Sequence, residues 1–311
     1  GFAVYAGGGL GRTPLLGKKL VDFLPWQHLL TYCEALVRVY NRYGRRDNAY
    51  KARIKILVKA EGQRFVDQVN AEFDALQRDD ALTGAHVIPR AELDRVAASF
   101  GAPPDQAPGF EVSADTDAPP AYRRWLDRNV HAHKVPGYRA VTLSLKRAGL
   151  PPGDVGADPM ECAATLADRY SHGELRVTHD QNLLLPWVRC DQLPELWRAA
   201  HQAGFARSNV RLLTDMIACP GGDFCALANA RSIPLAEVLM ERYQDLDELH
   251  DLGEIDLHIS GCINSCGHHH SGHIGILGVD KDGKEWYQVS VAGADGSALS
   301  GQALPGKVIG P

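Results

Sequence analysis

The sequence predicts an α+β protein, because its 311 residues, of which 45% are apolar, contain helix-like stretches together with strand-like stretches that follow one another directly. This length is enough for two or three packed domains. In the middle of the chain, Tyr138–Leu145 alternates as a strand does, and residues 160–170 and 193–203 show helical spacing. Two more strand patterns, residues 174–178 and 183–188, lie between those helices. The order β-α-β-β-α predicts a ferredoxin-like half-domain.

The chain begins with a strand pattern, residues 2–6, that runs into a glycine-rich loop. The loop contains Gly7, Gly8, Gly9 and Gly11, followed by Arg12. A dinucleotide fingerprint would need its third glycine at position 12, and a P-loop would be one place out of register, so neither motif is present. Exposed amides and the Arg12 charge suit the carboxylates of an anionic cofactor. A plain tight turn from strand to helix is the alternative.

Two amphipathic helices are predicted next, over residues 27–43 and 62–78, because apolar side chains recur there at three- and four-residue steps. Eight basic residues fall from Arg38 to Lys59, against one acid, Asp47. This run is interpreted as a solvated helix face, a surface for an anionic ligand or, given its interleaved tyrosines, an RNA-binding patch. Under the second interpretation, four of its members face a buried polyanion: Arg45, Arg46, Lys51 and Arg53.

The last third of the chain is also predicted to mix helix and strand. Residues 226–243 are rich in small residues and are predicted to be helical, and residues 254–260 are predicted to form a strand. A hairpin is expected to follow, with strands at 274–279 and 286–291. The Asp-Gly step at the end of Asp280–Gly283 is typical of a tight hairpin turn.

Four of the seven cysteines form two close pairs in glycine-rich loops. The pairs are Cys219-x5-Cys225 and Cys262-x3-Cys266. Glycines let backbone amides approach a cluster and donate hydrogen bonds to sulfur, so an iron–sulfur cluster is one interpretation. Structural zinc is another, although zinc pairs favour about two to four intervening residues and the first pair has five. The two remaining interpretations of these cysteines are a disulfide bond and buried thiols without a ligand.

The remaining cysteines and a group of histidines are given structural interpretations. Cys33, Cys162 and Cys190 fall in helical or strand-like patterns and are predicted to be buried hydrophobic side chains. Four histidines follow the second cysteine pair: His268, His269, His270 and His273. A zinc-binding histidine pair is one interpretation. Hydrogen bonds to a cluster, to a cofactor carboxylate or to the backbone are the favoured one.

The cysteine spacing, with Gly-Cys-x-Asn-x-Cys-Gly around the second pair, resembles the cluster motif of the sirohaem-containing sulfite and nitrite reductases. The resemblance extends to the glycines at 7–11 and to Leu-Arg-Val-Thr-His-Asp-Gln-Asn-Leu-Leu at 175–184, so it covers nearly the whole chain. The sequence departs from many relatives at Ile263, where they have proline, and at His268, where they have glutamine or arginine. The fold implied is a ferredoxin-like half-domain between two α/β domains that bind sirohaem and the cluster.

The resemblance also implies cofactors and the residues that hold them. A [4Fe–4S] cluster would be bound by Cys219, Cys225, Cys262 and Cys266, and Cys266 would bridge the cluster to the sirohaem iron. Sirohaem would be contacted by the glycine-rich loop with Arg12, and by four residues of the half-domain: Arg176, Thr178, Gln181 and Asn182. An ordinary pair of polar residues at a strand edge is the alternative for Arg176 and Gln181.

The reaction implied is the six-electron reduction of sulfite to sulfide, with nitrite reduction to ammonia as the close alternative. The partners would be the sulfite or nitrite anion and an electron donor, either ferredoxin or an NADPH-dependent flavoprotein. The domains implied are a first sirohaem-binding α/β domain (1–100), a linker (101–120), the half-domain (121–207) and the cluster and sirohaem domain (208–311). Because one half-domain is found where the family has two, we expect a chain cut at both ends and incomplete for catalysis.

Composition disfavours several other classes of protein. The net charge of −5 argues against a general nucleic-acid-binding protein. No apolar run approaches the roughly eighteen residues of a membrane-spanning helix, and no secretory leader precedes the first strand. We therefore expect a cytoplasmic protein without a membrane or nucleic-acid partner. A zinc-stabilised RNA-binding module, using the same cysteines and the basic run, is the alternative from a different class.

Overall fold

The computed structural model describes residues 1–49, 51–100 and 118–293, together with the backbone of residues 302–303. The chain forms two compact units, residues 1–103 and 104–311. Nearly all of the predicted linker at 101–120 lies outside the described residues. The predicted boundary between residues 207 and 208 falls inside the second unit, and it stays a prediction.

The first unit combines a two-stranded sheet with helices. Its elements are β1 (Phe2–Ala6), β2 (Lys18–Leu24), α1 (Leu29–Tyr43), α2 (Ile54–Glu61), α3 (Gln63–Thr83) and α4 (Arg90–Ala98). β1 and β2 are antiparallel. The core lies where α1 packs on α3, and its fully buried side chains include Ala35, Phe65 and Val69. The apolar stripes that predict these two helices therefore face each other.

Both helices predicted in the first unit are confirmed, with shifted ends. Residues 26–28 form a 3-10 turn before α1. α3 runs on to Thr83, where Gly84 adopts a φ of 65° and ends the helix. The glycine-rich loop joins β1 to β2 in a hairpin, so the strand-to-helix alternative for this loop is wrong. β2 was not predicted, because Lys18–Leu24 does not alternate cleanly between apolar and polar residues.

The second unit begins with the half-domain, whose predicted order β-α-β-β-α is confirmed from Tyr138 onward. Its elements are α5 (Pro120–Asn129), β3 (Val130–Ala132), β4 (Tyr138–Leu143), α6 (Ala157–Tyr170), β5 (Arg176–Val177), β6 (Leu183–Arg189) and α7 (Leu193–Gln202). The four strands form an antiparallel sheet in the order β3-β4-β6-β5. Buried side chains of α5, α6 and α7 form one core with those of the sheet, including Trp125, Leu185 and Leu196.

A second sheet carries the cysteine loops. The elements are β7 (Ile217–Ala218), α8 (Gly221–Phe224), α9 (Ile233–Arg242), α10 (Leu246–Leu252), β8 (Leu257–Ser260), β9 (Ile274–Lys281), β10 (Lys284–Val291) and β11 (Gln302–Ala303). The strand order is β11-β10-β9-β8-β7, with β7, β8 and β9 parallel. The predicted hairpin is confirmed as β9 and β10. Its tight turn places Asp282 and Gly283 at φ 57° and 73°.

Two further predictions need correction. The helix predicted over 226–243 begins only at Ile233, after a loop that follows Cys225. Cys33 and Cys162 are exposed, so the prediction that they are buried is wrong, whereas Cys190 is buried as predicted. A helical pattern alone does not place a cysteine on the buried face of its helix. Within the described ranges, no helix is long and apolar enough to cross a membrane.

Candidate cofactor-binding site

The first cysteine pair lies immediately beyond the end of β7. Cys219 is buried, and its backbone N–H donates to the Ile259 carbonyl of β8 (3.1 Å), which extends the strand pairing into the loop. The Gly261 N–H donates to Cys219 Sγ (3.0 Å), and Ser232 Oγ lies 3.4 Å from the same sulfur. Cys225 follows the short helix α8 and is partly buried. The Ser232 hydroxyl donates to the Cys219 carbonyl (2.7 Å), so the Gly261 amide is the defined donor to the sulfur, a contact that would stabilise a thiolate ligand.

The second cysteine pair lies in the loop that follows β8, and this loop returns to contact the strand at Ile259. Cys262 is buried and Cys266 is exposed. The Gly267 N–H donates to Ser260 Oγ (3.1 Å), which closes the loop between the two cysteines. A Cβ at Gly267 would lie 1.9 Å from the Ile259 carbonyl oxygen, so this close approach requires glycine. The parallel pairing of β7 with β8 thus delivers both loops to the same end of the sheet.

The four cysteines interact electrostatically. Burial raises the pKa of the Cys266 thiol, and the charges of Cys219, Cys262 and Cys225 raise it further. Mutual repulsion of this kind opposes four bare thiolates, and bound iron cations would reverse it. In the described part of the chain, no group of three or more His, Cys, Asp or Glu side chains is arranged to hold a single metal ion. The two cysteine loops at one end of the sheet and the Gly261 donor at Cys219 are compatible with the four thiolate ligands of an iron–sulfur cluster.

The histidines beyond Cys266 make hydrogen bonds within the protein. His273 Nδ1 accepts from the Asp256 N–H (3.0 Å), and His269 Nδ1 lies 3.2 Å from Ser265 Oγ. Burial, with the neighbouring His270 and His258 charges, lowers the pKa of His269 to about 4, so this ring is neutral near pH 7. Its Nε2 is buried and has no hydrogen-bond partner among the described residues. Such an orphaned polar atom beside the cysteines is consistent with a group bound there.

The half-domain residues predicted to contact sirohaem differ in their surroundings. Arg176 is exposed and pairs with Glu174, Nε to Oε1 at 2.6 Å. Thr178 Oγ1 accepts from the Asn182 N–H (3.1 Å) and so closes the turn between β5 and β6. Gln181 and Asn182 direct their side-chain amides into the protein, towards residues 215–218. Their roles as sirohaem contacts stay predictions.

A buried ion pair that the sequence did not predict lies next to the residues that precede the first cysteine loop. Lys146 is fully buried, and its Nζ donates to the carbonyls of Asp180 (2.6 Å) and Met216 (2.9 Å). The same nitrogen lies 3.6 Å from Asp215 Oδ1. Burial lowers the pKa of Lys146 and raises that of Asp215, while their mutual attraction opposes both shifts. The signal available in the sequence was a lysine that continues the apolar strand pattern ending at Leu145.

The glycine-rich loop belongs to the first unit and has the strained backbone that glycine permits. Gly7, Gly9 and Gly11 adopt φ values of 77°, 151° and 99°. Beneath the loop, the Lys55 ammonium is buried and donates to the carbonyls of Leu10 and Thr13, both at 2.8 Å. Lys55 therefore holds the loop closed from inside, although the sequence presented it only as one member of the basic run. Arg12 is exposed at the loop surface.

Replacing Lys55 with methionine is expected to lower the free energy of unfolding by about 1–3 kcal/mol, because two charge-assisted hydrogen bonds are lost. Thermal denaturation would measure the loss, and hydrogen exchange would show faster exchange of the Gly9 and Leu15 amides, which bond across the loop. Lys59→Met is the matched control, because Lys59 is exposed on the same helix. Equal stability of the two variants would contradict this role for Lys55.

The rest of the basic run is largely exposed and paired with acids. Arg42 bonds to Glu72 of α3 (2.5 Å), and Arg45 pairs with Asp47. Arg46 stacks over the Tyr40 ring, 4.7 Å from its centroid. These contacts are typical of a solvated helical face, the first of the three interpretations. Whether members of this run also meet an anionic cofactor stays a prediction.

Comparison with known proteins identifies two family segments in the chain. The family described as "Nitrite and sulphite reductase 4Fe-4S domain" matches residues 1–75. The "Nitrite/Sulfite reductase ferredoxin-like half domain" matches residues 139–203. The first matched stretch contains a single cysteine, Cys33, so it cannot by itself supply the ligands that its name suggests. The two cysteine pairs lie beyond both matches.

Similar proteins of known name cover most of this chain. A chloroplastic ferredoxin–nitrite reductase of Oryza sativa is 27% identical over 88% of this chain and 41% of its own length. "Sulfite reductase [ferredoxin] 1" of Mycolicibacterium paratuberculosis is 25% identical over 95% of this chain and 48% of its own. The solved structure of the Mycobacterium tuberculosis NirA protein, 22% identical, matches the fold with a TM-score of 0.67 over 98% of this chain and 50% of its own.

The chain thus spans half or less of the length of these relatives. Its two family segments, the fold and the cysteine motif agree with one another. Two segments of the chain therefore match models of the nitrite and sulfite reductase family, whose cofactors are sirohaem and a [4Fe–4S] cluster.

Proposed function

We propose that this chain binds a [4Fe–4S] cluster through Cys219, Cys225, Cys262 and Cys266 and serves the six-electron reduction of sulfite to sulfide. The observation that supports the proposal most strongly is the arrangement at the ends of β7 and β8. There the parallel pairing of the two strands brings both cysteine loops to one end of the sheet, and the Gly261 N–H donates to Cys219 Sγ at 3.0 Å. When bound, the cluster and sirohaem would supply the electron transfer and the open metal position that the reduction requires.

The residues of the chain have separable tasks in this proposal. Cys219 and Cys262 are buried and would bind the cluster from the protein interior. The backbone amide of Gly261 would stabilise the thiolate charge of Cys219. Cys266 is the most exposed of the four, which suits a sulfur that also faces a second cofactor. Large apolar side chains near the cysteines in sequence are exposed: Phe224 (79%), Leu227 (72%) and Ile263 (43%). An apolar surface of this kind suits the face of a macrocycle.

The first unit would contribute charge to the binding of sirohaem carboxylates. Its glycine-rich loop carries Arg12 at the surface, and the Arg53 guanidinium lies against Gly9, 3.2 Å from the position of a Cβ there. Backbone amides and guanidinium groups are suitable donors to carboxylates. Gly7, Gly8, Gly9, Gly11 and Arg12 are therefore proposed as sirohaem contacts in this unit.

Nitrite reduction to ammonia is the second candidate, favoured by the printed name of the rice relative, whereas the mycobacterial relative is named a sulfite reductase. Both names specify ferredoxin, which makes ferredoxin the preferred electron donor here and an NADPH-dependent flavoprotein the alternative. The chemistry required of the chain is common to the two substrates, since each reaction delivers six electrons to a small oxyanion at the same cofactors.

The test is to reconstitute the chain anaerobically with iron, sulfide and sirohaem and to record its visible spectrum. Sulfite and nitrite reduction are then assayed side by side with a strong artificial electron donor in a full-length protein that contains this chain, and the larger kcat/KM identifies the substrate. We expect strong visible absorption and about four irons per chain, as a cubane cluster holds, plus the sirohaem iron. A colourless protein that retains zinc instead would contradict the proposal and favour the zinc-module alternative.

A further inference from the structure

The turn between β5 and β6 makes a contact with the cysteine loop that its predicted role does not explain. Gln181 Nε2 donates to the Ala218 carbonyl (2.8 Å), and the Ala218 N–H donates to Gln181 Oε1 (3.0 Å). One side-chain amide therefore satisfies both backbone groups of the residue immediately before Cys219. Both polar atoms of the Gln181 side chain take part in this contact, so the side-chain amide is hydrogen-bonded within the protein.

The position of β7 explains why such a contact is needed. In the described part of the chain, β7 pairs with a strand on one side only, β8. Successive residues of a strand direct their N–H and C=O groups to alternate sides. Cys219 directs its N–H to Ile259 of β8, so the groups of Ala218 point to the unpaired side. The Gln181 amide has the same donor and acceptor as a peptide group, and it takes the place of the missing neighbouring strand.

The Gln181 side chain is held in place by several local features. Its backbone adopts the left-handed region, with a φ of 58°, which is costly for a residue other than glycine. The turn is closed by hydrogen bonds from the Thr178 N–H to the Asn182 carbonyl (2.9 Å) and from the Asn182 N–H to Thr178 Oγ1 (3.1 Å). A Cβ at Gly153 would lie 2.7 Å from Gln181 Cβ, so only a glycine at position 153 lets the adjoining loop come this close to Gln181.

Asn182 links the same turn to the residues that precede β7. Its Nδ2 donates to Asp215 Oδ1 (2.8 Å), and its Oδ1 accepts from the Leu145 N–H (3.0 Å). Asp215 Oδ2 in turn accepts from the Arg211 N–H (2.9 Å). The approach to the first cysteine is thus fixed at residue 215 by Asn182 and at residue 218 by Gln181.

We infer that Gln181 is a positioning residue of the cluster site: its amide holds Ala218 and thereby sets the place of Cys219. This inference rests on the proposed function, because it takes Cys219 as a cluster ligand. It assigns Gln181 a role other than the direct contact with sirohaem that the motif implies. The contact itself is independent of any cofactor, so it can be tested in the chain without iron.

The first test is hydrogen exchange of the unsubstituted chain without iron, resolved to single residues around β7. If Gln181 holds Ala218, the Ala218 amide is protected although it points away from β8. Gln181→Met removes both hydrogen bonds, and Gln181→Glu replaces the donor with a charged oxygen that repels the Ala218 carbonyl. In Gln181→Met, exchange at Ala218 is expected to be about tenfold faster, as expected for the loss of a net hydrogen bond. In Gln181→Glu the remaining oxygen can still accept from the Ala218 N–H, so a smaller increase is expected there.

The second test measures iron release to a chelator from the reconstituted chain. Gln181→Met and Gln181→Glu should release iron about tenfold faster than the unsubstituted chain, as loss of a supporting contact behind a metal ligand typically costs. Gln202→Glu is the matched control, because Gln202 is exposed at the end of α7. The thermal midpoint is recorded for each variant, since a merely structural role would lower stability without selectively changing iron release.

Each outcome bears on a different claim. An unprotected Ala218 amide in the unsubstituted chain overturns the inference, even if the variants fail to fold. Iron release at the unsubstituted rate in both variants also overturns it. If the unsubstituted chain takes up no iron while Ala218 is protected, the contact stands, and the proposed function and the positioning role fail together.

Discussion

In a full-length protein that contains this chain, replacing Cys266 with serine is expected to reduce six-electron reduction of sulfite and of nitrite to background. A serine hydroxyl is a poor ligand for soft metal centres, so the proposed bridge between cluster and sirohaem would be lost. The loss should also appear in the spectra, because two centres that no longer share a sulfur become magnetically and optically independent. Electron paramagnetic resonance and visible spectroscopy of the reconstituted chain would record this change separately from turnover.

Cys162→Ser is the matched control for Cys266→Ser. Cys162 is also exposed, but it lies on α6 of the half-domain, away from the two pairs in sequence. We expect this variant to keep the spectrum, the iron content and the activity of the unsubstituted protein. A Cys266→Ser variant that behaved in the same way would remove Cys266 from the bridging position, and Cys225, the other cysteine that is not fully buried, would be the next candidate.

The two cysteine loops are recognisable in the sequence because their pattern is local, and their role as a cluster site stays a prediction. Cysteine spacing and adjacent glycines are visible in a few residues around Cys219 and Cys262, and the folded chain brings those two segments to neighbouring parallel strands. The half-domain could be predicted for a similar reason, since its strands and helices carry clean periodicity. The β9–β10 hairpin followed from its Asp-Gly turn.

The contacts between distant segments could not be predicted. Gln181 was predicted to be a cofactor contact. Nothing local in the sequence reveals that β7 is the edge strand of its sheet among the described residues, or that the backbone N–H of Ala218 faces the Gln181 side chain. Lys55 was one of eight basic residues, and its burial depends on a loop more than forty positions earlier in the chain. Arg42 pairs with Glu72, thirty positions away. Such partners are chosen by tertiary packing, on which residue type and spacing carry no information.

The largest expected effect on stability concerns Lys146 and Asp215. Lys146→Met should lower the free energy of unfolding by about 3–5 kcal/mol, because removing one member of a buried ion pair leaves the other charge uncompensated. Lys134→Met is the matched control, since Lys134 is an exposed lysine of the same half-domain. The double variant Lys146→Met/Asp215→Asn should recover much of the loss, because no buried charge remains. The amide oxygen introduced at position 215 can still accept a hydrogen bond from Asn182 or from the Arg211 N–H.

The stability deficit of Lys146→Met should depend on pH. Burial raises the pKa of Asp215, and Lys146 partly opposes that rise. Without Lys146, the pKa of Asp215 in the folded state moves further above its value in the unfolded chain. A carboxyl with a raised folded-state pKa destabilises the fold as pH increases through that range, because the unfolded chain loses its proton first. Denaturant unfolding should therefore show a larger deficit at pH 8 than at pH 5, whereas a deficit that is equal at both pH values would mean that Asp215 stays ionised and is stabilised by Asn182 and the Arg211 amide alone.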